Sequence, residues 1–348
     1  MTNHISAPVV IVSILSLMAC ANLPADAQEQ ITDAAVPIID SDAALSDLRA
    51  LSANFMDGRE TGTRGAAIAR GYLTERFAQV GLQPYESEDF THTFSFTPRG
   101  GSEVREGINL VGFIEGREDG PVMVITAHYD HLGNCGGEVC NGADDNASGV
   151  AAMLAIADAL QGQPPRHDIY FAALDAEEVG LRGARALVAD GQIPIERVAL
   201  NINLDMLAIN DENELAAAGA YHFPFLSERI DRAGATAPTQ LIQGYDSDQW
   251  GPNGDWTNSS DHAAFHHAGI PWIYYGVDFH EHYHQPTDEY EVIDRDFFVS
   301  NAQTVMNAVV LFDNELEGVV SDLADMQANT PEPLGQTEDG SMRKPGME

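Results

Sequence analysis

Histidine and carboxylate residues recur at one kind of place in this sequence, directly after short apolar runs. His128, Tyr129, Asp130 and His131 follow Pro121–Ala127 (PVMVITA). Asp175, Glu177 and Glu178 follow Ile169–Leu174 (IYFAAL), and Asp205 follows Val198–Leu204 (VALNINL). Pro271–Val277 (PWIYYGV) leads into Asp278, His280, Glu281, His282, Tyr283 and His284. Between the first two runs lies Gly142–Gly149 (GADDNASG), with Asp144 and Asp145. Imidazole nitrogens mixed with carboxylate oxygens suit zinc, or less specifically manganese or cobalt. Calcium or magnesium held by oxygen alone would not need the histidines. The candidates outnumber the needs of one ion, which points to two ions sharing a carboxylate.

The elements that must position these groups alternate between strand and helix. Apolar runs such as PVMVITA and IYFAAL predict strands covered on both faces. Strands are also expected over Phe90–Phe96, Ile108–Ile114, Val198–Leu204 and Pro271–Val277. Helices are expected over Ser41–Val80 with a break near Asp57–Arg64, over Asn146–Gln161, Glu178–Asp190 and Asp261–Ala268, and from about Arg295 to Leu316. This order predicts an α/β fold: a three-layer αβα sandwich with a mixed, mostly parallel sheet and helices on both faces. Ligand sites in such sheets lie at the carboxyl edge of the strands, where the polar clusters fall.

Six segments together resemble the zinc aminopeptidases of the bacterial leucyl aminopeptidase type. They are AHYDHLG (Ala127–Gly133), GADDNASG (Gly142–Gly149), DAEEVGLRG (Asp175–Gly183), NLDM (Asn203–Met206), SDHAAF (Ser260–Phe265) and YHQPTDE (Tyr283–Glu289). Each alone is a weak signal; in this order and spacing they are specific. The resemblance implies two zinc ions, with Mn²⁺ or Co²⁺ as substitutes. His128, Asp205 and a bridging Asp145 would hold one ion, and Glu178, His284 and Asp145 the other. Glu177 would be the general base; neighbours in an extended segment point opposite ways, so Glu178 can bind metal while Glu177 faces the water. Asp130 and Asp288 are candidates to accept the other imidazole N–H of His128 and His284. Asp144 is the alternative bridge, and His280 or His282 the alternative to His284; the family pattern favours Asp145 and His284.

Peptides with a free N-terminus are the expected substrates, since acid-rich segments suit a cationic α-amine. Three other readings stay open: a carboxypeptidase of the same family, with Arg182 and Arg185 as its nearest basic residues; a glutaminyl cyclase-like enzyme, which works with one zinc; and a non-catalytic binding module, whose known members have lost ligands. Tyr245, Trp250, Asp255, Trp256 and His262 are candidates for the substrate pocket. His131, His266 and His267 read as structural or surface histidines, and Asp261 as a helix cap.

The remaining features concern address and surface. Residues 7–19 form a 13-residue apolar stretch, whereas a membrane-spanning helix needs roughly 20 apolar residues. It suits a secretory signal, although Met1–Ser6 contains no Lys or Arg. Leu17–Cys20 resembles a bacterial lipobox with Met at its second position, which makes Cys20 a lipidation candidate. Ala25-Asp26-Ala27 is the alternative, ordinary cleavage site. The expected organisation is a lipoprotein-type signal over 1–19, a polar linker over 20–40, the two-metal domain over 41–317 and an acidic, mobile tail over 318–348. The location would be extracytoplasmic: periplasm or outer membrane as a lipoprotein, or secreted. In such a compartment Cys135 and Cys140 are expected to form a local disulfide. Across 348 residues, 54 acids against 17 bases give a net charge of −37. This excludes binding to nucleic acid, which needs a basic face. Oligomeric state is not encoded in these features.

Overall fold

The computed structural model describes residues 36–98, 101–251 and 253–329. The expected signal segment, Cys20 and the end of the expected tail lie outside the described residues. Within them, strands and helices alternate as the apolar runs predict. The strands are β1 (Thr91–Phe96), β2 (Arg105–Ile114), β3 (Val122–His128), β4 (Gly133–Cys135), β5 (Glu138–Cys140), β6 (Ile169–Leu174), β7 (Val198–Leu204), β8 (Glu214–Ala218), β9 (Gln240–Gln243) and β10 (Trp272–Gly276). The α-helices are α1 (Ser41–Leu51), α2 (Arg64–Gln79), α3 (Gly149–Leu160), α4 (Arg182–Ala189), α5 (Ser227–Gly234), α6 (His262–His267), α7 (Arg295–Asn314) and α8 (Leu316–Asn329).

Eight strands form one mixed sheet in the order β1-β2-β6-β3-β7-β10-β8-β9. Its centre, β6-β3-β7-β10, is parallel, and β2 and β8 run antiparallel to their central neighbours. Every residue of β3, β6, β7 and β10 is buried. Alternate side chains feed two cores, as the two-residue period of a strand requires. Met123, Ile125, Ala127, Phe171 and Ala173 pack into the larger core with α1, α2, α3 and α7. Val122, Val124, Tyr170, Ala172 and Leu174 pack on the other face against Ala184 and Leu187 of α4 and Phe265 of α6. The fold is therefore the expected αβα sandwich.

Helix α3 is apolar nearly all round because it is enclosed, with β3, β6 and β7 on one side and α1 and α7 on the other. At its start the Asn146 side chain accepts the Gly149 N–H at 2.9 Å. Cys135 and Cys140 are joined by a disulfide across the β4–β5 ribbon.

Three differences from expectation have physical causes. Residues 318–329, expected within the tail, belong to α8, whose buried Leu316 and Val319 anchor it on the larger core. The acidic stretch obscured that short apolar face. Strands β8 (ELAAA) and β9 (QLIQ) were not anticipated, since Ala and Gln carry little strand preference. Helix α5 is brief and charged, and leans on α7. Among the described residues, no helix is long and apolar enough to cross a membrane.

Candidate metal centre

The carboxyl ends of the four central parallel strands converge on one edge. His128 closes β3, Asp205 follows β7, and Glu177 and Glu178 follow β6. Asp145 sits in the turn that opens α3, and its peptide bond to Asn146 is cis. His284 comes from the loop after β10, with φ of 56°.

Asp145 lies at the middle and faces two ways. Its Oδ1 is 3.4 Å from His128 Nε2, which is also 3.4 Å from Asp205 Oδ1. Its Oδ2 is 3.0 Å from His284 Nε2, which is 3.4 Å from Glu178 Oε2. Adjacent ligand atoms on a tetrahedral zinc with 2.0–2.1 Å bonds lie about 3.3–3.4 Å apart, so most of these spacings match shared coordination. The donor set passes a second test. Asp205 Oδ1 is buried and has no hydrogen-bond partner among the described residues, a cost normally avoided unless something else binds the atom.

The supporting contacts fix each ligand. His128 Nδ1 donates to the Asp130 carbonyl at 3.1 Å, which leaves Nε2 free to face the centre. The Asp130 carboxylate does something else: it accepts from the Glu177 and Glu178 amides at 3.0 and 3.3 Å and from Thr61 at 3.1 Å. Asp288 does not reach for His284 as expected. It accepts the Asp144 and Asp145 amides at 2.9 and 3.0 Å and so orients the central carboxylate through its backbone.

The electrostatics favour a cation here. Burial alone would raise the Asp145 pKa, but His131, the His284 hydrogen bond and His128 outweigh it and hold the carboxyl well below its usual range. Burial would lower the His128 pKa, yet the Asp205 and Glu177 carboxylates pull it well above normal. Glu177 is pushed well up by burial, against the pull of His128, with Asp261, Glu178 and Asp205 adding repulsion.

Other candidates are placed elsewhere. Asp144 accepts from Ala208 N at 2.8 Å and pairs with His280 at 3.0 Å, so neither residue faces the centre. His282 pairs with Thr287 at 2.9 Å. His266 receives the Trp272 indole N–H at 3.1 Å, and its ring lies edge-on to His267 at 5.5 Å, away from the centre.

Two residues read as structural from sequence stand in the site. His131 is buried with Nδ1 2.9 Å from Glu178 Oε1 and 3.8 Å from Asp145 Oδ2. Asp261 precedes α6, but its side chain caps nothing. It is fully buried with both oxygens unpartnered among the described residues, and burial pushes its pKa up to about 7 against the pull of His128. The position of His131 inside AHYDHLG, three residues after His128, and that of Asp261 inside SDHAAF were the available signals.

A small cleft of about 50 Å³ opens over the centre, walled by Met206, Trp256, Tyr274, Val277, Phe279 and Tyr283. Trp256 stacks on Tyr245 at 4.0 Å, and Tyr245 stacks on Trp250 at 4.8 Å. His262 is buried behind this wall, holding the Trp256 carbonyl at 2.8 Å, and burial drives its pKa down to about 3. Asp255 turns to Thr257 at 2.5 Å rather than to the cleft. A neighbouring cavity of about 630 Å³ shares Val277 and Phe279 and carries Asp211, Glu212, Glu214, Asp278 and Glu281.

A mostly parallel sheet with His and carboxylate groups at its carboxyl edge defines a metallohydrolase-like class of protein. Residues 109–309, more than half of the chain, match the model of peptidase family M28, and the chain belongs to that family. The chain is 30% identical over 173 residues to the alkaline phosphatase isozyme conversion protein of Escherichia coli (strain K12), covering 46% of this chain and 50% of that protein. It is 32% identical over 200 residues to aminopeptidase YwaD of Bacillus subtilis (strain 168), covering 54% and 40%. The match thus spans half or less of each relative's length. The fold is also that of Porphyromonas gingivalis glutaminyl cyclase, with a TM-score of 0.65 at 19% identity, covering 78% of this chain and 98% of that one.

Proposed function

We propose that this chain is an exported zinc aminopeptidase that removes N-terminal residues from peptides with two metal ions. The observation that carries it is Asp145, whose two oxygens serve two separate groups of ligands. His128 and Asp205 would complete one site, and Glu178 and His284 the other. Zinc bound there would polarise a scissile carbonyl and lower the pKa of a bound water. Mn²⁺ or Co²⁺ would serve the same donors.

The chain's own residues do the rest. Glu177 faces the same cleft as His128, Asp145 and Asp205. Its carboxylate accepts a proton from the attacking water and returns that proton to the leaving amine. Its backbone is held by Asp130, and that of the cleft-wall residue Trp256 by His262. The aromatic wall limits water around the scissile bond. The acidic neighbouring cavity suits a cationic peptide N-terminus.

Of the other readings, the carboxypeptidase lacks its carboxylate anchor, since neither Arg182 nor Arg185 lines the cleft. The cyclase has the fold likeness in its favour, but the two complete ligand groups favour peptide hydrolysis. A binding module would not need a full donor set. Export, and lipidation at Cys20, rest on the sequence of residues 7–20. The proposed boundaries run from residue 41, with α8 now added to the catalytic domain.

The test is an activity panel on metal-loaded and chelated protein. It compares aminoacyl substrates with their N-acetylated counterparts and with N-terminal glutaminyl peptides. Metal-dependent cleavage of free but not acetylated substrates is expected. Equal cleavage of both would rule out aminopeptidase action, and ammonia release from glutaminyl peptides without cleavage would favour the cyclase.

A further inference from the structure

We propose that His131 is a positioning residue for the second metal position: its Nδ1–H holds one oxygen of Glu178, so that the other oxygen alone is offered to an ion shared with Asp145 and His284. The assignment rests on the two-metal function proposed above and goes beyond it, because it names what sets the coordination mode of that ion.

The two oxygens of Glu178 are divided. Oε1 lies 2.9 Å from His131 Nδ1, and Oε2 lies 3.4 Å from His284 Nε2. The first distance is an ordinary hydrogen bond. His284 Nε2 approaches Asp145 Oδ2 about as closely, at 3.0 Å, so what separates the two rings is their distance to the central carboxylate. His131 Nδ1 stands back from that carboxylate, 3.8 Å from Asp145 Oδ2. His131 therefore fits as a hydrogen-bond donor to a ligand better than as a ligand.

The proton has one place to go. His131 Nε2 is buried and has no hydrogen-bond partner among the described residues. The ring N–H is directed by the acceptor available to it. The carboxylate at Nδ1 is that acceptor.

The ring is held as well as pointed. Its backbone N–H donates to the Arg59 carbonyl at 3.4 Å. The ring lies against Gly142, where a Cβ would come within 2.6 Å of Cγ and Cδ2. Gly142 also has φ of 55°, so glycine suits this position twice over. The preceding residue grips the same ligand from another side, since the Asp130 carboxylate accepts the Glu178 amide at 3.3 Å. Asp130 and His131 together fix both the backbone and the carboxylate of Glu178.

Hydrogen-bond partners of metal ligands typically contribute about 10–100-fold in metal affinity. The test is a Zn²⁺ titration against a competing chelator, with bound ions counted per chain, on wild type, His131→Phe and His131→Asn. Phe keeps the ring volume without a donor; Asn offers an amide N–H near the Nδ1 position. Wild type should bind two ions. H131F should keep the tighter ion and bind the other at least tenfold more weakly, and H131N should recover most of that loss. At saturating Co²⁺ the visible absorption bands of H131N should match wild type, since no ligand has been removed. Wild-type affinity for both ions in H131F would overturn the role of His131 alone. Failure of H131N to recover affinity, with altered Co²⁺ bands, would overturn it in favour of direct ligation. A single ion in wild type would overturn both this role and the two-metal function.

Discussion

Asp145 turns one oxygen to His128 and the other to His284, and Glu177 faces the cleft beside them. Metal retention and proton transfer are thus assigned to different carboxylates, and they should separate by mutation. Glu177→Gln is expected to keep both ions and lose about 10²–10⁴-fold in kcat, the usual contribution of a general base. Metal analysis beside steady-state kinetics checks this; full activity with both ions present would remove Glu177 from the mechanism. The five ligand candidates and Glu177 were legible because each follows an apolar strand or lies in a distinctive segment. His131 was read as a structural or surface histidine and Asp261 as a helix cap, a role its side chain does not take. Their significance lies in what they meet through space, Glu178 for one and the surroundings of Glu177 for the other. Asp288 was noticed but given the wrong partner, because sequence spacing does not reveal whether a carboxylate meets a ring or a backbone amide.

At the scale of elements, the loops that carry the ligands need a common anchor, and Arg59 provides one. It is fully buried and donates to the carbonyls of Leu51, Tyr129, Asn141 and Gly142 at distances from 2.5 to 3.0 Å. It ties the end of α1 to the loop after β3 and to the turn before Asp145. Burial lowers its pKa to about 10, with Asp145, Asp288, Asp130 and Glu178 opposing, so it stays charged at neutral pH. Arg59→Met would leave the buried carbonyls of Leu51, Tyr129 and Asn141 without this donor and that of Gly142 with only the Ala147 N–H, at an expected loss of about 3–5 kcal/mol in stability. Denaturant unfolding measures that loss, and a change within about 0.5 kcal/mol, typical of a surface substitution, would contradict the anchoring role. Nothing in the residue order hints at this role, since an arginine reads as a surface residue by default. The central strands were readable from continuous apolar runs buried on both faces. Strands β8 and β9 were not, because pairing, of β8 with β10 and of β9 with β8, rather than composition makes them strands.

Over the whole molecule, most of the acidic residues lie outside the metal centre. Of the 17 basic residues, 16 are Arg and the only Lys is Lys344. Among the described residues, Arg76, Arg166, Arg197, Arg229 and Arg232 form ion pairs with carboxylates. The net charge of −37 already counts every base, so it is an excess of acid that no ion pair within the chain offsets. Self-repulsion opposes the compact state and weakens as the Debye length falls from about 30 Å at 0.01 M salt to about 3 Å at 1 M. The unfolding temperature should accordingly rise from dilute buffer to molar sodium chloride. An unchanged or lower value would discard the idea that this surface is suited to saline surroundings.

One carboxylate bridging two ions is tested most directly by the metal content per chain. Protein dialysed against excess Zn²⁺ and then freed of unbound metal should retain two ions per chain, and Asp145→Asn should lose affinity for both together. One ion per chain in the wild type, or loss of only one on replacing Asp145, would contradict the shared centre.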